Sequence, residues 1–174
     1  SSQGQRALKL LQTLYGATPS GELYLAAKKL ELRTNLSIAL SVARKQWKDP
    51  ADQEKAFEWL DAAAEVAKEI DEASPAESQL PSAQIDVYEA ALNVCLDLSD
   101  SAKADNYIQK IKAAAELYLR KTLDEVSAAS VRWKVGRALV AASRIYEVRK
   151  DYVKAIECCR KGFEYLQIVT EYRP

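Results

Sequence analysis

Hydrophobic side chains recur at helical spacing along almost the whole chain. In two stripes they are separated by 4, 4, 3 and 4 residues, which places each stripe on one face of an α-helix. No segment shows the two-residue alternation that is typical of a strand. The pattern therefore predicts an all-α fold. The two stripes are Leu32, Leu36, Leu40, Ala43, Trp47 and Val131, Val135, Leu139, Ala142, Tyr146.

Breaks in this pattern divide the chain into about seven predicted helices. A lone first helix, Gln3 to Tyr15, ends at Gly16, and three antiparallel helix pairs follow it. The one clear loop is Ser74 to Pro81, which contains two prolines. We expect a single helical-repeat domain over 1–174, with repeats at about 20–73, 82–121 and 122–170 and with 1–16 as the last helix of a preceding repeat.

A short motif recurs at the start of the second helix of each pair. The spacings between its successive alanines, including a weaker copy near the N-terminus, are 49, 48 and 51 residues, and a nearly constant period of this size indicates a repeat array. In each pair an aromatic residue or a cysteine, Trp47, Cys95 or Tyr146, precedes the aspartate by five residues. The copies are Asp52-x-x-Lys55-Ala56, Asp100-x-x-Lys103-Ala104, Asp151-x-x-Lys154-Ala155 and Gln3-x-x-Arg6-Ala7.

The last pair resembles a tetratricopeptide repeat (TPR). The matching positions, in order, are Leu139, Ala142-Ser143, Tyr146, Asp151-Tyr152, Ala155, Cys159 and Gly162. The period departs from the ~34 residues of that family, because the helices here are longer, and the usual glycine before the turn is replaced by Ser99 and Lys150. The pattern is also similar to helical-pair arrays of proteasome-lid-type scaffolds and kinesin light chains. The resemblance implies helix pairs stacked as an α-solenoid, with the small residues Ala155 and Gly162 where the helices approach closely.

Composition narrows the possible functions. Lys plus Arg and Asp plus Glu number 25 each, so there is no general attraction to nucleic acid. No apolar run approaches the ~18 residues of a membrane span. The absence of histidine removes the commonest general base and most catalytic zinc sites. We therefore expect neither an enzyme nor a cofactor or metal site, and no nucleic-acid binding or membrane insertion.

The cysteines indicate the cellular compartment, and the absence of methionine bears on whether the chain is part of a longer protein. Cys95, Cys158 and Cys159 cannot all pair internally, which favours reduced thiols and an intracellular protein, cytoplasmic or nuclear. Adjacent cysteines on a helix point about 100° apart, so packing is a better interpretation of Cys158 and Cys159 than a metal or redox pair. There is no methionine, and we expect the chain to be a piece of a longer or processed protein.

Charged residues suggest where a partner binds. In a TPR-like solenoid the first helices line a concave groove suited to an extended peptide or a helix. The first helices of the first and third pairs are basic, whereas that of the second pair is acidic, so charge alternates along the expected groove; ordinary solvated helix faces explain the same pattern equally well. The candidate partner-binding residues are Arg137, Arg144, Asp86, Glu89, Asn93 and Lys45.

Three functions fit these expectations. The first is a protein–protein interaction module that binds a peptide or helix in the concave groove. The second is a structural segment of a larger helical-repeat scaffold, with no ligand of its own. The third is a reader of phosphopeptides or acidic motifs that uses the arginines. Some TPR domains clamp a terminal carboxylate, but Val140 and Glu89 occupy clamp positions here, so that function is not carried across.

Overall fold

The computed structural model describes residue 13 and the ranges 22–44, 50–73, 83–121 and 124–170. Within these ranges the chain forms six helices and no strand, which confirms the all-α prediction, although the count is six and not about seven. The predicted first helix and the loop Ser74 to Pro81 lie outside the described residues, except that Thr13 is helical. The helices are α1 Glu22–Arg44, α2 Pro50–Ala73, α3 Ala83–Leu98, α4 Ser101–Lys121, α5 Glu125–Val148 and α6 Tyr152–Thr170.

The helices belong to two compact units, residues 1–78 with α1 and α2 and residues 79–174 with α3 to α6. In the first unit α1 packs against α2. The α1 residues that this contact buries are Glu31, Asn35 and Ala39, each one position before the predicted leucines, which are only half-buried. For Leu32, Leu36 and Leu40 the predicted α1 stripe is therefore wrong by one position, whereas Trp47 and the Ala43 side chain lie outside the described residues. Alanines on α2 let the helices approach closely, and small or slender side chains fit there better than leucines.

Helix α5 is the centre of the second unit, since it packs against α3, α4 and α6. Its predicted stripe is confirmed: every member from Val131 to Tyr146 is almost fully buried. The spacing is the same as in α1, but α5 has neighbours on several sides. The identical pattern therefore has different burial in the two units.

Helices α5 and α6 cross at two glycines. A Cβ atom on Gly162 would lie 2.9 Å from the carbonyl oxygen of Gly136, and one on Gly136 would lie 2.8 Å from the carbonyl oxygen of Gly162. Neither position tolerates a side chain without movement of the backbone. This confirms the close approach predicted at Gly162, whereas Gly136 was not predicted to lie at the crossing. Ala155 and Cys159, expected in the same seam, are only half-buried.

The turns between α3 and α4 and between α5 and α6 have the same geometry. Ser99 and Lys150 adopt the left-handed conformation, with φ of 53° and 61°. The next amide, of Asp100 or Asp151, donates to the carbonyl of Cys95 or Tyr146 at 2.9 Å, which is the Schellman bond that closes a helix C-terminus. This bond joins residues five positions apart, which explains the five-residue separation between the aromatic residue or cysteine and the aspartate in the sequence.

The aspartate of each motif also begins the following helix. Asp100 accepts a hydrogen bond from the Lys103 amide at 3.0 Å, and Asp151 accepts one from the Lys154 amide at 3.2 Å, as N-cap residues do. The first copy differs, because Asp52 lies inside α2, which already begins at Pro50. The motif is therefore a helix cap in the second unit, and only two of its three full copies have the same local structure.

Candidate functional site

Two ion pairs join α3 to α5 and contain three of the predicted partner-binding residues. Lys134 Nζ lies 2.6 Å from Asp86 Oδ2, and an Arg137 guanidinium nitrogen lies 2.5 Å from Glu89 Oε2. The second ion pair lies about one helical turn after the first on both helices, so α3 and α5 run side by side in the same direction. Parallel first helices are the arrangement expected of neighbouring repeats.

These ion pairs change the meaning of the predicted charge alternation. The hydrogen bond with Glu89 raises the pKa of the Arg137 guanidinium, which favours its charged form. The acidic and basic helices therefore neutralise each other within the fold. Partly exposed pairs of this kind contribute up to ~1 kcal/mol each. Asp86 and Glu89 each pair with a basic residue of α5 and so hold α3 against α5.

The other predicted site residues lie in different surroundings. Arg144 on α5 and Asn93 on α3 are both exposed. Arg144 forms no ion pair within the described part of the chain. Lys45 lies outside the described residues. Of the predicted set, Arg144 is thus a cation available for an acidic group from outside.

An aromatic residue missed by the sequence analysis lies on the same helix face. Trp133 is 49% exposed, and Trp133, Arg137, Val140 and Arg144 follow one another at spacings of 4, 3 and 4 residues. We call these four residues the Trp133 face. Trp133 follows Val131 by two positions, on nearly the opposite side of the helix from the buried stripe. An aromatic residue out of phase with the core was the signal that could have identified it.

A second polar group joins α4, α5 and α6. The Tyr146 hydroxyl donates to Asp105 Oδ1, and Lys154 Nζ lies 2.9 Å from Asp105 Oδ2. Burial, and then the neighbouring Asp105 carboxylate, raise the pKa of Tyr146 far above its usual value. Burial opposes ionisation of Asp105, but the hydrogen bonds from Tyr146 and Lys154 outweigh it and lower the pKa of the carboxyl. This triad links three helices.

The triad borders a small cleft of about 110 Å³. Its other charged groups are largely paired, because Lys161 Nζ lies 2.5 Å from Glu157 Oε1. Burial raises the pKa of the Cys158 thiol, so it stays protonated at neutral pH and is a poor nucleophile. All three cysteines are free, and burial raises the pKa of Cys95 to about 12. No group of His, Cys, Asp or Glu in the described ranges is arranged to hold a metal ion. The cleft is best explained as packing between repeats.

A further polar cluster lies between α1 and α2 in the first unit. Lys28 Nζ lies 3.1 Å from Glu31 and 2.7 Å from Glu69, and the Tyr24 hydroxyl donates to Glu69 at 3.3 Å. Asn35 is buried next to this cluster, and its Oδ1 has no hydrogen-bond partner in the described part of the chain. The cluster pairs its own charges within the first unit.

Comparison with known protein families and with curated proteins finds no match for this chain. The resemblance to TPR proteins therefore rests on the residues quoted above and on the two shared turns. Among the described helices none is long and apolar enough to cross a membrane.

Proposed function

We propose that this chain is a TPR-like protein–protein interaction module, and that a partner segment binds along the Trp133 face. The observation that carries the proposal is Trp133 itself, a half-exposed tryptophan in line with two arginines on the central helix of its unit. Tryptophan and arginine are the residues most enriched among those that dominate binding energy in protein interfaces. The parallel packing of α3 and α5 and the two matching turns support a TPR-like stacking of the two pairs.

The chemistry of the face indicates the kind of partner. Trp133 provides apolar contact, and Arg144 provides a cation that has no ion-pair partner among the described residues. A helix or extended segment with an apolar anchor and an acidic residue about three turns away along α5 complements this arrangement. The ion pairs of Asp86 and Glu89 fix α3 beside α5 and shape the surface. The third function named above, a reader of phosphopeptides or acidic motifs, is a narrower version of this proposal.

A displayed library of random peptides, selected on the folded protein, tests the proposal. Selected peptides should be rich in apolar and acidic residues. Trp133→Ala should weaken their binding by at least tenfold, as expected for an interface residue worth more than ~1.4 kcal/mol. Arg144→Glu should weaken it further and should reduce its salt dependence.

The matched control is Leu117→Ala on a different helix, α4, where the side chain is 47% exposed, nearly the same as Trp133. It should leave peptide affinity unchanged. Peptides that bind the Trp133→Ala and Arg144→Glu variants as tightly as the original chain would refute the Trp133 face. A library that yields no binder would favour the second function, a segment of a larger scaffold.

One observation favours that second function. Ala155 and Cys159 lie at core positions of the repeat, yet both are only half-buried. Helix α6 also carries several large apolar side chains that are exposed. A scaffold in which another helix pair continues the stack would cover them.

A further inference from the structure

Helix α6 carries a row of exposed apolar side chains. Tyr152, Ile156 and Phe163 are 58%, 68% and 57% exposed. Their spacings of four and seven residues place them on one face of the helix. Val153 flanks this α6 row and is also exposed. Isolated exposed apolar residues are ordinary, whereas a continuous row on one helix marks an interaction surface.

The internal repeat shows which face this is. Aligning Ala155 with Ala104 places Ile156 at the position of Asp105 and Phe163 at the position of Lys112. Asp105 and Lys112 line the cleft between α4 and the following pair, of which α5 packs against α4. The α6 row is thus the stacking face of the last pair. In the inner pair this face is half-buried, and its aspartate is bonded to Tyr146 and Lys154.

The chemistry of the row limits what can cover it. A helix pair like α5 and α6 would bring a tyrosine hydroxyl and a lysine against Ile156, which offers no acceptor in place of the Asp105 carboxylate. An apolar surface is required, and this chain has one in the α6 row itself. The net charge of zero imposes no long-range repulsion between copies.

We infer that the α6 row is a homodimer interface, in which α6 of one copy packs antiparallel against α6 of a second copy. With the two-fold axis beside Cys159, Ile156 of each copy lies opposite Phe163 of the other, a self-complementary arrangement of the kind a two-fold dimer requires. Arg160 lies between them in sequence and is 3.9 Å from Glu164, so its aliphatic stem widens the row while its charge stays at the edge.

The exposed apolar area of the α6 row sets the expected affinity of the dimer. Four side chains, two of them aromatic, expose on the order of 500 Å² per copy, below the ~800 Å² per partner of a standard interface. The dimer should therefore be reversible, with a dissociation constant in roughly the micromolar range. It would display two copies of the Trp133 face, and a partner with two binding segments would gain avidity. The dimer does not depend on the proposed peptide function.

Sedimentation equilibrium of the full chain over a range of concentrations tests the inference. The original chain should form dimers and no larger species. Ile156→Glu and Phe163→Lys should each weaken dimerisation by at least tenfold while far-UV circular dichroism stays unchanged, because both side chains are exposed. Val126→Glu, at a still more exposed apolar position outside the row, should dimerise like the original chain. A monomer at all concentrations, or a dimer that survives both α6 substitutions, would overturn the inference.

Mixing the Ile156→Glu and Phe163→Lys variants tests the antiparallel pairing separately. The carboxylate introduced in one variant would then face the ammonium group introduced in the other, while the original Phe163 and Ile156 still meet at the second contact. The mixture should form heterodimers more strongly than either variant dimerises alone. A mixture as monomeric as its components would overturn the proposed pairing.

Discussion

Replacing Lys150 with glycine should stabilise the second unit. Lys150 is exposed and lies in the left-handed region with a φ of 61°, at the position of the Schellman turn where glycine is usual. A residue with a Cβ atom costs ~1–2 kcal/mol in this conformation. Glycine removes that cost but loses ~0.5–1 kcal/mol through its greater freedom in the unfolded chain. The net gain should be about 0.5–1 kcal/mol.

The surroundings keep the turn in place whichever residue occupies position 150. The Lys150 amide donates to the Glu147 carbonyl at 2.9 Å, and the neighbouring Arg149 Nε donates to the Ser99 carbonyl of the adjacent turn at 2.6 Å. Glycine can make the same backbone bonds. Its effect should therefore come from φ alone, and Ser99→Gly in the equivalent turn should give a similar gain.

Urea unfolding followed by circular dichroism measures the effect, and the midpoint should rise with no change in slope. The expected increase in melting temperature is about 1–4 °C. Lys150→Ala is the matched control, since it removes the same charge but keeps the Cβ atom, and it should show no comparable gain. Equal stability of the glycine and alanine variants would refute the argument from the left-handed conformation.

Three further predictions test the packing of the second unit. Gly162→Ala should lower the free energy of unfolding by about 1–2 kcal/mol, because overpacking at the helix crossing outweighs the better helix propensity of alanine; an unchanged urea midpoint would show that the helices separate easily. Asp105→Asn should flatten the loss of stability on acidification: the folded pKa of Asp105 is lowered, so its contribution is present at neutral pH and is lost as the pH falls below about 4. Unfolding measured across this range checks that sign, and Tyr146→Phe should weaken the same dependence by removing a hydrogen bond to the carboxylate. Ala104→Leu should destabilise the unit by ~1–3 kcal/mol and by more than Ala155→Leu, since Ala104 is fully buried and Ala155 is not. Equal urea midpoints for the two leucine variants would contradict the placement of Ala104 inside the stack and of Ala155 at its end.

Much of the second unit could be predicted from the sequence because its signals are local. The stripe from Val131 to Tyr146 follows from helical periodicity, which depends only on neighbouring turns. The five-residue separation between Tyr146 and Asp151 and the capping aspartate depend on bonds within a single turn of chain. Gly162 was predictable as well, since glycine inside a helix usually has a packing reason.

The candidate site was only partly predictable. Arg137 and Arg144 were both placed on α5, but sequence spacing does not show that Glu89 of another helix neutralises the first and that the second lacks a partner within the described ranges. Trp133 was overlooked because the periodicity argument sorts residues by apolar character, and it gives no weight to an aromatic residue outside the stripe.

Periodicity shows which side chains share a helix face, whereas only the tertiary structure shows which neighbour, if any, covers that face. The stripe from Val131 to Tyr146 is buried in α5, which has three neighbours. The leucines of the same spacing in α1, Leu32, Leu36 and Leu40, are only half-buried, because Asn35 and Ala39 meet α2 in their place. Gly136 is needed for close packing only because Gly162 of another helix, α6, lies against it. Local bonds and helix faces are thus properties of the sequence, and burial, ion pairing and exposed surface are properties of how the helices pack.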